Sequence, residues 1–134
     1  MANAIYPKFK QSILQAGLDL SSLTIKALLV KTSSGYTYSS SHQYLSDISS
    51  GNRVATSPAL TTKTFTNGAF DSDDPTFSAV SGSVVGAIVL FDDTGVAGTS
   101  ALIMYQDTGV TGLPLTPDGS DVQIVVDAAG WFQL

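Results

Sequence analysis

The sequence predicts a single mainly β (α+β) domain over residues 1–134, an antiparallel, sandwich-like sheet of about seven or eight strands with two short helices laid over it. Three observations carry that expectation. Two uncharged, strongly apolar runs, residues 84–91 and 101–105, follow one another across a connection containing Gly95 and Gly98, which reads as an antiparallel hairpin at the centre of a sheet. A third run over residues 23–30 is apolar on both parities after Lys26, as expected of an interior strand covered on both faces. All eleven acidic residues are Asp and none is Glu, which places the negative charge in turns and caps and not on helices.

Taken in order, Pro7 suits a first helical position, and Phe9, Ile13 and Leu14 at near-helical spacing ahead of Gly17 predict a short amphipathic helix over about residues 7–16. The strand over residues 23–30 follows, then a Ser- and Thr-rich loop over 31–41 with Tyr36 and Tyr38 as anchors. Ser41 has the side chain of an N-cap, and Tyr44, Leu45 and Ile48 ahead of Gly51 predict the second short helix. Val54 to Ser57 is extended, with Pro58 marking an edge or a break. Asn67-Gly68 between Phe65 and Phe70 predicts a two-residue hairpin turn that sets Thr66 opposite Ala69 and pairs the two Phe rings across strands. Asp71 to Pro75 is turn chemistry, and residues 76–80 resume as a strand leading into the central hairpin. A long excursion rich in Gly and Pro spans 109–119 before a last strand over 122–127. The apolar segment Trp131-Phe132-Gln133-Leu134 is expected to pair as a strand or to pack against a partner, because burying each large aromatic contributes roughly 1.5–3 kcal/mol.

Composition excludes several classes. Only 13% of residues are charged against 43% hydrophobic, below the usual charged quarter, so either Ser and Thr supply the missing surface polarity or another chain covers part of the surface. A net charge of −5, with Lys8 and Lys10 the nearest thing to a basic cluster, argues against nucleic acid. No run approaches the roughly 20 apolar residues of a membrane span. No basic segment followed by an apolar one opens the sequence, so a signal peptide is not expected and synthesis in a cytoplasm is. The redox compartment is left open by the lack of Cys.

Catalytic machinery is equally sparse. His42 is the only His, sits among Ser residues, and reads as a surface side chain; with no Cys and no nucleophile motif, no enzyme is expected. Asp71, Asp73 and Asp74 invite a calcium reading, yet Pro75 stands where a further acidic ligand belongs, and a solvated turn is the simpler account. No cofactor or metal is therefore expected. Tyr6, Phe9, Tyr36, Tyr38 and Trp131 could form a carbohydrate or partner surface, although aromatics in β proteins are more often core.

Several segments together resemble a family of small structural proteins of tailed bacteriophages. They are Ala2-Asn3-Ala4-Ile5-Tyr6-Pro7, Gly17-Leu18-Asp19-Leu20, Ile25-Lys26, Tyr44-Leu45-Ser46-Asp47 and residues 54–60. Gly68-Ala69-Phe70-Asp71, residues 76–82, Tyr105-Gln106-Asp107-Thr108-Gly109 and residues 112–119 continue the likeness over nearly the full length. The resemblance implies a virion component. Its preferred form is a head decoration (cement) protein, expected as a homotrimer on the outer face of the capsid and bound to the major capsid protein, with a tail, neck or fibre-associated host-binding module as the alternative. Tyr6, Phe9, Trp131 and Phe132, large apolar groups near the ends of the sequence, are the expected contact residues; the other account of all four is intramolecular core.

Overall fold

A computed structural model describes residues 3–15 and 17–134. In chain order its elements are β1 (Ala4–Ile5), helix α1 (Pro7–Leu14), β2 (Ile25–Val30), β3 (Arg53–Thr56), β4 (Ala69–Phe70), β5 (Thr76–Phe77), β6 (Ala87–Asp92), β7 (Leu102–Gln106), β8 (Val122–Gln123) and β9 (Phe132–Gln133). Five strands form one antiparallel sheet in the order β1-β7-β6-β2-β3, while β4 pairs with β9 and β5 with β8 in two short ribbons. The expected β-rich α+β class is what the chain adopts.

Strands β6 and β2 lie side by side with Leu28 opposite Val89 and Leu29 opposite Ile88. Residues Ala27 to Val30 and Ala87 to Leu90 have no solvent exposure, so both faces of this pair are covered, as their unbroken apolar runs require. On the far side of β6, β7 completes the expected central hairpin, with one extra residue accommodated between Leu90 and Phe91 of β6 and their partners Met104 and Leu102. At the other edge Ser57 solves the problem set by Pro58, which has no N–H to give. Its amide donates to Ala27 O at 2.8 Å, while its buried hydroxyl accepts from Ala27 N at 2.9 Å and donates to Pro58 O at 2.8 Å. Pro58 thus falls at an edge.

Helix α1 begins after an extended Tyr6 (φ −60°, ψ 128°), with Pro7 supplying the helical φ at the first position. The Tyr6 amide donates to Ile103 O at 3.0 Å, so the chain passes directly from the sheet edge at β1 into the helix. Phe9 is the buried side chain of α1. At the other end of the sequence, Gly130 (φ +95°) turns the chain so that Trp131 N donates to Phe70 O at 2.7 Å. A Cβ at Gly130 would stand 2.5 Å from that same Phe70 oxygen, which reserves the position for glycine. β9 then pairs with β4 through Ala69 opposite Gln133 and Phe70 opposite Phe132.

Four expectations need correction. The second helix does not form. Leu45–Asp47 and Ser50–Asn52 are single 3₁₀ turns, because the Asp47 carboxylate takes the amides of Gln43 (2.8 Å) and Tyr44 (3.0 Å) and Ile48 is extended. Ser41, the expected cap, instead exchanges a hydroxyl contact with Ser39 at 2.9 Å. The Asn67-Gly68 signal marks a chain reversal in the expected register, with Thr64 bridged antiparallel to Asp71, but through a 3₁₀ turn over Thr66–Gly68 and not a two-residue hairpin loop; Ala69 and Phe70 pair as a strand with β9. Phe65 and Phe70 still stack, with centroids 5.5 Å apart. Finally, the central strand starts later than its apolar run: Val84 is exposed, Val85 makes only an isolated bridge to Leu115, and β6 begins at Ala87. A Cβ at Gly86 would collide with the Thr32 hydroxyl, which marks the close approach that ends the run. The strands expected over 76–80 and 122–127 are likewise trimmed to β5 and β8.

Candidate functional site

The four residues expected to reach a partner are placed mostly inside the molecule. Tyr6 and Phe9 are buried, as is Trp131, whereas Phe132 is half-buried. The Tyr6 ring lies 5.1 Å from that of Tyr38, and its hydroxyl is 2.8 Å from the Tyr36 hydroxyl. Phe9 meets Phe132 edge-on at 6.1 Å, and Phe132 lies 5.5 Å from Phe70. Trp131 donates through Nε1 to Ser72 Oγ at 2.8 Å. Tyr6, Phe9 and Trp131 therefore tie the two ends of the described chain to the sheet. The physical reason is that an aromatic ring gains more from permanent burial in its own chain than from waiting exposed.

Around this dock the apolar surface is not closed. A groove of about 530 Å³ runs between the end of α1, the segment after it, and the β4–β9 ribbon, with Ile13, Leu18, Phe65, Phe70, Phe132 and Leu134 among its walls. Leu14 at the end of α1 is 87% exposed, Leu134 59% and Phe65 39%. The charged residue in its wall is Asp19, whose Oδ1 accepts from Ser21 N at 3.0 Å and from Ser21 Oγ at 2.6 Å. Lys8 and Lys10 on α1 are exposed and make no ion pair among the described residues, whereas Lys26 is paired with Asp93 at 2.6 Å. Lys63 donates to Leu20 O (3.0 Å) and Leu23 O (2.6 Å), and Arg53 to Ile48 O (2.8 Å) and Leu45 O (3.1 Å).

The polar candidates are occupied in holding the fold. His42 Nδ1 lies 2.8 Å from the Tyr36 hydroxyl and so ends a Tyr6–Tyr36–His42 chain that fastens the 31–41 loop to the sheet; the expected surface side chain is half-buried. Burial pushes the Tyr36 phenol up to about 12, and the Tyr6 and Tyr105 phenols upward as well, so all three are neutral donors at physiological pH. None is poised as a base. Asp73 Oδ2 accepts from the hydroxyls of Thr61 (3.1 Å) and Thr62 (2.8 Å), Asp74 Oδ1 from Val126 N at 2.8 Å, and Asp71 Oδ1 from Ser72 N at 2.8 Å. Each carboxylate caps a different piece of backbone or loop, and no group of three or more His, Cys, Asp or Glu among the described residues is arranged to hold a metal ion. Burial and the neighbouring Asp93 raise the Asp92 carboxyl above the ordinary carboxylate range. Its position at the end of β6, in contact with sheet residues, accounts for this without a catalytic role.

Sequence reasoning missed the groove because its walls come from four separate segments, and none of those segments is a motif. The available signal was the run of apolar residues at 13, 14 and 18 beyond what one buried helix face needs. No helix among the described residues is long and apolar enough to cross a membrane. No protein-family model matches the chain, and a search of curated proteins finds no match.

Proposed function

We propose that this chain is a structural protein of a tailed-bacteriophage virion, a head decoration protein that binds the outer surface of the major capsid lattice and acts by burying area. The observation that carries the reading is a contrast on one molecule. The titratable side chains in contact with one another are engaged in caps, loop fastening and the Lys26–Asp93 pair, while the groove beside α1 is open and mostly apolar, with Phe65 and Leu134 exposed in its wall. Such a surface suits adhesion, and its one carboxylate, Asp19, is engaged in hydrogen bonds with Ser21. The likeness to small phage structural proteins supports the same direction. A decoration protein stabilises the shell by mass action, because it binds the assembled lattice in preference to free subunits.

The test is copy number in purified particles by quantitative gel analysis or mass spectrometry. A clamp on the capsid lattice is expected to approach the stoichiometry of the major capsid protein, and particles lacking it should release DNA at lower temperature. About a dozen copies or fewer would instead fit the tail, neck or fibre reading. Absence from particles would remove the virion role altogether.

A further inference from the structure

We propose that Asn67 is a site of spontaneous chemical modification, where water converts the asparagine through a cyclic imide into isoaspartate, and that this product unpairs the last strand. The inference goes beyond the proposed function and does not rest on it.

Of the three Asn in the chain, two are protected and one is not. The Asn3 side chain is held at both ends, Nδ2 donating to Thr108 O at 2.9 Å and Oδ1 accepting from Asp107 N at 2.9 Å and Thr108 N at 3.0 Å. Asn52 is half-buried and is followed by Arg53, whose side chain obstructs the approach of its own amide nitrogen. Asn67 is exposed, and its contact with Gln133 Nε2, at 3.5 Å, is through the main-chain oxygen, so the side-chain amide is left to solvent. Gly68 follows it, with no Cβ to shield the nitrogen. The Gly68 N–H is tied by a 3.2 Å bond to Phe65 O inside a single 3₁₀ turn, so a brief opening of that turn frees it. Asp118-Gly119 has a similar order of residue types, but Gly119 N is held to Val80 O at 2.7 Å and the Asp118 carboxylate, a poor target for a nitrogen nucleophile, accepts from Ser120 N at 3.0 Å.

In the reaction the Gly68 nitrogen gives its proton to hydroxide and attacks Asn67 Cγ. The N–Cγ bond forms, the Cγ–Nδ2 bond breaks, and Nδ2 leaves as ammonia after taking a proton from water. Water then opens the ring: breaking the N–Cγ bond gives aspartate, and breaking the bond from that nitrogen to the main-chain carbonyl gives isoaspartate, whose backbone runs through the side chain and is longer by one methylene. Gly68 has no room for that length. Its main-chain oxygen accepts from Leu134 N at 3.0 Å, and even a Cβ on it would stand 3.0 Å from Leu134 O. The neighbouring Ala69 pairs with Gln133, so a shift at Gly68 pulls directly on β9. Gly68 and Leu134 both belong to the wall of the groove beside α1, which the modification therefore opens.

Incubation of the purified protein in mildly alkaline buffer at physiological temperature, followed by peptide mapping with mass spectrometry, reads the reaction at each asparagine. Asn67 is expected to convert roughly tenfold or more ahead of Asn3 and Asn52, with isoaspartate among its products. The modified fraction, separated by its added negative charge, should show faster hydrogen exchange at the Leu134 amide. Asn67→Asp carries the same charge on an unaltered main chain and should exchange there as the parent does. Asn67→Gly suits the positive φ, has no side-chain amide to lose, and should come through the same incubation with Leu134 exchange unchanged. Asn67 left intact, overtaken by Asn3 or Asn52, or converted to aspartate alone overturns the modification. Isoaspartate at Asn67 with Leu134 exchange equal to the parent's, or faster exchange in Asn67→Asp as well, overturns the unpairing.

Discussion

The β2–β6–β7 strands and the corner where α1 meets the β4–β9 ribbon are both built from large apolar side chains, yet they end differently. Leu28, Leu29, Ile88 and Leu90 reach no solvent at all, because β6 has a hydrogen-bonded neighbour on each side and residues packed on each face. At the corner Phe9 and Phe70 are also buried, but Leu14 and Leu134 stay exposed, as does Phe65 although it stacks on Phe70. Strand neighbours give the first region cover in every direction. The second is made of a helix of eight residues and a ribbon of two-residue strands, which cannot wrap a cluster completely. The difference teaches where a small domain keeps apolar surface for its own stability and where it has some to spare for contact.

Introducing a charge is the sharpest way to break the comparison. Leu90→Asp places a carboxylate with no partner in a fully covered position, a cost comparable to the whole stability of a domain this size, and is expected to abolish folding by circular dichroism and cooperative melting. Phe9→Ala comes next. It removes the ring that seats α1 on Phe132 and should cost about 3–4 kcal/mol in chemical denaturation, with the sheet signature retained in what remains folded.

A smaller effect comes from the Tyr6–Tyr36–His42 chain that joins the loop to the sheet. A phenol whose folded pKa is raised favours the folded state while it stays protonated, so its contribution is complete below about 10 and is lost as pH rises through about 12 for Tyr36. The thermal midpoint is expected to fall across that window, and Tyr36→Phe should flatten the slope; a midpoint that holds level to pH 12 would remove the linkage. The smallest effect is predicted at the open corner, where Leu14→Asp should leave monomer stability within about 0.5 kcal/mol of the parent. A large loss there would mean that Leu14 is packed, and the contrast between the regions would vanish.

Residues read from the sequence explain which parts of this fold were legible. Runs that are apolar at every position, as at 27–30 and 87–91, leave a strand buried on both faces almost no competitor, and Pro7 with Phe9 and Ile13 does the same for α1. The stretch from Ser41 to Asn52 was misleading because Ser and Asp side chains compete for the very amides that a helix would use, and that competition is decided by where Asp47 can reach. Asn67-Gly68 announced a turn correctly, but a turn signal does not say which strand its flank will join. β4 took a partner more than 60 residues away, β9.

What the amino-acid order determined by itself was the type of its strongest elements, the sheathing of the central strands and the gathering of most negative charge in turns and loops, Asp92 at the end of β6 excepted. Each follows from local chemistry or from periodicity. Only the tertiary structure decided that Tyr6, Phe9 and Trp131 face inward, that α1 and the β4–β9 ribbon meet, and that a mostly apolar groove is left between them. Those outcomes depend on how distant segments share a limited volume, and no single stretch of chain carries that information.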